Sequence, residues 1–331
     1  MTRTWLREAL GLLAAGALAV LTVSTVASTA RSELLFRDGD SLVVALFARS
    51  VLDGDPLDWA MSSVLFLPES AMFAGLDLLI PAGVNGVLAA SAVVNLLALY
   101  GALRLVAGRR REGFAPVAWA LAGLAAFGAI AMTETSASRD ALELASLLLT
   151  TTYYSATVVA VIATVGLLRR ALEHDGHHSG LLIALGLVAA ASALSNPLYA
   201  VWATVPLAVI LAVFVVRARQ RAPLLVMLTV LLAGTAVGLA ARLPFGPWIA
   251  NTGTGYAQPD RWAEALGYYG DLVALRLSTP LGSIGCALSI ALFAIAVWRS
   301  VRADQPAERL VATAAWLIPV LVTIGAIALG T

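Results

Sequence analysis

Residues 180–216 read GLLIALGLVAAASALSNPLYAVWATVPLAVILAVFVV, preceded by Arg169-Arg170 and followed at once by Arg217-Ala218-Arg219-Gln220-Arg221. This stretch decides the fold. Loops rich in arginine stay on the cytoplasmic side of a membrane. Both flanks therefore belong to one side, and the number of crossings between them is even. One long helix fails that condition. Two short spans, 180–195 and 198–216, joined at Ser195-Asn196-Pro197, satisfy it. Pro197 suits a first helical position and Asn196 suits its cap.

Seven further apolar runs extend the pattern: 9–30, 84–106, 114–132, 146–168, 223–241, 281–298 and 310–330. Each approaches the ~20 residues needed to cross a bilayer. Composition agrees: of 331 residues 60% are hydrophobic and 12% charged, with a mean hydropathy of +0.89. Soluble domains carry about 25% charged residues. The expected fold class is an all-α polytopic membrane protein with about nine transmembrane helices, a single membrane domain over 1–331.

All 21 basic residues are arginine. With the N-terminus cytoplasmic, fourteen arginines and six acids fall inside, and seven arginines and fourteen acids fall outside, consistent with the net charge of +1. The first segment also has the marks of a signal peptide, with Arg3, Arg7 and the small residues Ala27-Ser28-Thr29-Ala30. The remaining topology is the same on either reading.

Two long segments then lie outside. The first, 31–83, contains Phe36-Arg37-Asp38-Gly39-Asp40-Ser41 and the further acids Glu33, Asp53, Asp55, Asp58, Glu69 and Asp77. Residues 41–52 place Leu42, Val43, Leu46, Phe47 and Val51 near one helical face, the pattern of an interfacial helix. Residues 68–80 make a second short helix, with Pro68 in its first turn, Glu69 against its N-terminal dipole and Pro81 at its end. The second long segment, 242–280, sets Trp248, Tyr256, Trp262, Tyr268 and Tyr269 among glycines and prolines. Those aromatics suit an interfacial belt or a sugar-stacking surface.

These features resemble the GT-C superfamily of integral-membrane glycosyltransferases. Members of that family have one span, then a large outer loop with surface helices and an early acidic motif, then many spans. Arg37-Asp38-Gly39-Asp40 stands where the family carries an Arg-Asp-Glu or Asp-Asp motif. The stretch from Trp59 to Phe66-Leu67-Pro68-Glu69 is similar to a phenylalanine-proline-acid segment of bacterial members. Ser195-Asn196-Pro197-Leu198-Tyr199 is similar to another, which more often has Asp where Asn196 stands. The resemblance covers about the first 220 residues. It implies a protein of the bacterial cytoplasmic membrane whose donor is a polyprenyl-phosphate-linked sugar. The acceptor would be a glycan, lipid or protein outside the cytoplasm.

Sugar transfer from a lipid phosphate requires a base for the acceptor hydroxyl and positive charge at the departing phosphate. Asp38 and Asp40 are the candidate bases. A divalent ion, Mg²⁺ or Mn²⁺, on Asp38, Asp40 and Glu69 is the alternative, since hard cations take oxygen ligands. Arg37, Arg139, Arg242, Arg261 and Arg276 are candidate phosphate contacts, and Tyr268 and Tyr269 candidate sugar contacts.

Structural readings compete with each of these. Asp40 before an apolar run suits a helix cap, Asp38-Gly39 a turn and Glu69 a dipole partner. Asn95 reads as an interhelical hydrogen-bonding residue, and Gly234 with Gly238 as a close helix-packing pair. Glu173-His174-Asp175-Gly176-His177-His178 has metal-like spacing but sits in a short inner loop, where a solvated turn is expected. The chain has no glycine-rich phosphate loop, HExxH or CxxC, and its arginines follow topology rather than a nucleic-acid patch. A carrier or lipid flippase, and a non-catalytic scaffold of envelope assembly, are the alternatives to a transferase.

Overall fold

The computed structural model describes residues 2–56, 58–109, 115–137, 142–152, 154–173, 179–252 and 257–328. Among them the chain is helical throughout, with no extended strand. Helix α1 is Thr2–Ala27. Three helices follow outside the apolar spans: α2 (Ser32–Phe36), α3 (Gly39–Asp53) and α4 (Leu67–Leu79). Then come α5 (Val84–Val106), α6 (Pro116–Thr133), α7 (Ser155–Leu172) and α8 (Ser179–Ser195). A π-turn over Ala200–Thr204 runs into α9 (Val205–Arg217), followed by α10 (Ala222–Ala240). The chain continues with α11 (Trp262–Leu277), α12 (Pro280–Arg302) and α13 (Pro306–Ala328).

Among the described residues, 8 helices are long and apolar enough to cross a membrane, and α8 is a shorter apolar helix. The packing of α8 answers the parity question. A Cβ added to Gly234 on α10 would lie 2.7 Å from the Gly186 carbonyl of α8, and one on Gly238 would strike the Ala190 carbonyl. Residue numbers rise together along this contact, so α8 and α10 run parallel. A helix must return between them, and the Ala200–Arg217 span does so. The absence of Cβ atoms at Gly234 and Gly238 lets the two backbones approach, as small-residue packing in membranes requires.

Asn196 makes the expected turn: its Oδ1 accepts the Leu198 amide at 3.0 Å, while its Nδ2 donates to Thr157 at 2.9 Å. Asn95 departs from expectation. It is buried in α5, yet its Nδ2 meets no partner among the described residues.

Three boundaries also differ from the sequence reading. The expected span 146–168 begins only at Ser155; Ser146–Leu149 is a separate 3-10 turn. Thr150 bonds back to Leu147, and Tyr154 takes a left-handed φ of 59°, which breaks the helix. Segment 242–280 contains the 16-residue α11. Asp38, not Asp40, occupies the N-cap of α3, and its side chain makes no capping bond; Asp40 lies in the first turn.

Two apolar cores share the bundle. One joins α1, α5 and α6 through Ala19, Leu96 and Leu124 with Leu148 and Leu149. The other joins α7, α8, α9, α10 and α13 through Leu168, Leu185, Leu207, Leu231 and Leu310. Helices α5 and α7 meet at the seam, where a Cβ on Gly166 would lie 2.9 Å from the Val106 amide. The bundle thus has a loop end, carrying α2–α4, and an arginine end, carrying Arg104, Arg169, Arg170, Arg217 and Arg309.

Candidate functional site

Three helix N-termini meet at the loop end. The short segment Thr150–Ala156 ties them together. The Thr151 hydroxyl donates to the Ser41 carbonyl in the first turn of α3 at 3.1 Å, and the Ser41 hydroxyl donates to Leu34 of α2 at 2.5 Å. The Ala156 amide, in the first turn of α7, donates to Glu69 Oε1 on α4 at 3.4 Å. The α8 end closes the group: the Leu65 amide donates to the Ser195 carbonyl at 2.8 Å, and the Leu67 amide to the Ser195 hydroxyl at 3.2 Å. Phe66, at the N-cap of α4, has a left-handed φ of 47°, like Tyr154 before α7. Both non-glycine residues carry backbone strain of order 1–3 kcal/mol, and both stand where a helix opens into this site.

Glu69 is the central group. It is 3% exposed, and its Oε2 has no hydrogen-bond partner among the described residues. The hydroxyls of Ser70, Thr152 and Ser155 are likewise buried without partners among the described residues. Burial pushes the Glu69 carboxyl up to about 7, opposed in part by its own amide and that of Ala156. A carboxyl so placed holds its proton through most of the acidic range and exchanges it near neutrality.

The other expected residues have different surroundings. Asp40 is exposed and Asp38 half-buried, both beside the Thr151 contact. Arg37 is exposed and pairs with Glu33 at 2.7 Å. The remaining cations are engaged elsewhere. Arg242 donates to the Leu194 carbonyl at 2.7 Å and to the Ser63 carbonyl at 2.5 Å, clamping α8 to the first loop; burial lowers its pKa. Arg276 reaches Glu143 at 2.7 Å, and Arg261 pairs with exposed Glu264 at 3.1 Å. Tyr268 and Tyr269 form an edge-to-face pair on α11 with ring centroids 5.5 Å apart. Arg139, Tyr256 and the histidines of 174–178 lie outside the described residues.

Among the described residues no three His, Cys, Asp or Glu side chains are grouped to hold a metal ion. Asp38, Asp40 and Glu69 do not fit Mg²⁺ or Mn²⁺ as a ligand set.

Long-range pairing also builds a cluster that the sequence does not announce. Arg31, fully buried, donates to the Ser146 hydroxyl at 2.6 Å, to the Ser136 carbonyl at 3.0 Å and to the Glu143 carbonyl at 2.8 Å. Its guanidinium lies 3.4 Å from Glu134, which accepts the Ser146 amide at 2.7 Å and the Ser146 hydroxyl at 2.5 Å. This cluster fixes the segment that leads into Thr150–Ala156. The two long segments also meet: the Met61 amide donates to the Trp248 carbonyl at 2.6 Å, and Phe47, Trp59, Phe245 and Trp248 pack edge to face.

No protein-family model matches the chain, and neither the curated proteins nor the solved structures contain a match to it.

Proposed function

We propose that the chain is a GT-C-type glycosyltransferase of the bacterial cytoplasmic membrane, with a cytoplasmic N-terminus and its working site at the loop end. The donor is a polyprenyl-phosphate-linked sugar, and the acceptor is an extracytoplasmic glycan, lipid or protein. The observation that carries this reading is the tie of both acidic elements to one segment: Ser41, next to Asp40, bonds Thr151, and Glu69 bonds Ala156. The order of elements supports it as well, with one span, then α2–α4, then the remaining spans.

Asp40 is the base in this reading because it is exposed to solvent in the first turn of α3, within reach of an incoming hydroxyl. The acceptor O–H gives its proton to the Asp40 carboxylate. Its oxygen bonds the anomeric carbon while the bond from that carbon to the phosphate oxygen breaks, and polyprenyl phosphate leaves. Arg37 is the phosphate partner: its exposed pair with Glu33 costs little to exchange, whereas Arg242 is held by two carbonyls. A carrier places ionisable groups midway along its spans. Among the described residues the buried mid-span polar groups are Thr22, Ser91, Asn95, Thr164, Thr204 and Thr235, all uncharged.

The test is transfer of labelled sugar from a polyprenyl-phosphate donor in membranes. Asp40→Asn, at normal expression, should lower the rate by about a hundredfold or more, the usual range for losing a general base. An unchanged rate removes Asp40 as the base.

A further inference from the structure

The arginine end holds a cavity that the transfer reaction does not use. It lies between the C-terminal ends of α7 and α9 and the first turns of α10 and α13, with a volume of about 430 Å³. Small-molecule pockets commonly span roughly 300–1,000 Å³. Phe214, Leu224, Met227 and Pro306 give it apolar walls, and Arg217 and Arg309 stand at its rim.

Its charge is one-sided. Arg309 is half-buried and anchored, donating from Nε and Nη2 to the Ala303 carbonyl at 3.2 and 2.6 Å. That grip fixes the guanidinium plane and leaves Nη1 for a ligand. Arg217 is exposed in the last turn of α9. Helix α10 begins at the cavity with no acid in its first turn and no side-chain cap, so its leading amides offset the negative C-terminal ends of α7 and α9 and leave the two guanidiniums to set the sign. The acid in the first turn of α13, Glu308, is held by Arg299 at 2.8 Å. Asp304 lies on the turn before α13 and does not line the cavity.

We infer that this cavity binds the phosphate headgroup of an anionic glycerophospholipid. The chemistry is charge-assisted hydrogen bonding of phosphate by two guanidinium groups above an apolar wall that receives the glycerol and upper acyl chain. Depth favours a lipid: α9 and α10 belong to candidate spans, so their ends stand at headgroup level. Basic pockets between membrane helices take such headgroups. Headgroups line both membrane faces, so the inference is independent of which side the arginine end occupies. It is independent of sugar transfer as well.

The full-length protein, released from detergent micelles for native mass spectrometry, provides the test. The probes are phosphatidylglycerol, phosphatidylcholine and inorganic phosphate. Phosphatidylglycerol should be retained over phosphatidylcholine. Arg217→Gln, an exposed position whose loss leaves the Arg309 anchor in place, should cut that preference about tenfold, the value of one charge-assisted hydrogen bond. Met227→Trp fills the wall while keeping both arginines, and should also weaken retention. Equal retention of the two lipids overturns the inference, as does retention unchanged in both variants. Displacement of phosphatidylglycerol by inorganic phosphate at equal concentration assigns the site to free phosphate and overturns the lipid reading.

Discussion

Replacing Glu69 by Gln tests the buried carboxyl directly. The folded-state pKa of about 7 stands above the reference value of 4.5. The native carboxyl therefore keeps its proton at pH values where the unfolded chain has lost it. Stability is unaffected below pH 4.5, falls as pH rises toward 7, and is level above that, because by then both states are ionised. The full difference, at ~1.4 kcal/mol per pKa unit, comes to about 3 kcal/mol, most of which develops between pH 5 and pH 8. Glutamine fits the same space and does not titrate. Glu69→Gln should therefore match the wild-type protein near pH 5 and exceed it at pH 8. At about 2 °C per kcal/mol for a chain of this size, the gain in Tm at pH 8 is about 5 °C. Tryptophan fluorescence during heating in detergent, read at several pH values, measures it. If wild type and variant change in parallel from pH 5 to pH 8, Glu69 is not a buried protonated group and the account of this site fails.

Three other substitutions probe the architecture. Arg31→Ala leaves Glu134 buried without its cation and should cost about 3–5 kcal/mol; adding Glu134→Gln should recover much of that, read as the fraction of monodisperse protein after mild heating. Gly238→Val drives a side chain into the Ala190 carbonyl and should destabilise by about 1–3 kcal/mol. Gly16→Ala, in α1 with open space around it, should be neutral or stabilising by up to about 1 kcal/mol, as thermal midpoints of the two variants will show.

The spans were legible because each is an apolar run and most have arginines close to an end, and both signals are local. The parity of the 180–216 region was legible for the same reason. The start of α7 was not: Leu147, Leu148 and Leu149 look like the head of a span, yet they pack as a single turn behind the loop end. A left-handed Tyr154 leaves no mark in composition. Helix α11 was hidden because its apolar residues are interrupted by glycine, tyrosine and charge. At the site, Asp40 and Glu69 could be picked out as acids in one loop, but their shared attachment to Thr150–Ala156 spans contacts of 87 and 110 residues in sequence. Arg242 was placed at the correct end, but its role was not visible, since its partners are main-chain carbonyls 48 and 179 residues away. The Arg31–Glu134 pair escaped for the same reason: no spacing rule joins residues separated by 103 positions.

The last two helices contribute unequally. Helix α13 inserts Leu310 and Ala314 into the larger core, whereas the spanning window of α12 has no buried residue. Translation delivers helices in chain order, so α1 to α10 can complete their packing before either emerges. The α12–α13 hairpin is then laid against a wall already built, held by one of its two legs. Substitutions among apolar side chains along α12 should drift freely over generations, while the matching positions of α13 stay constrained by the neighbours they press upon.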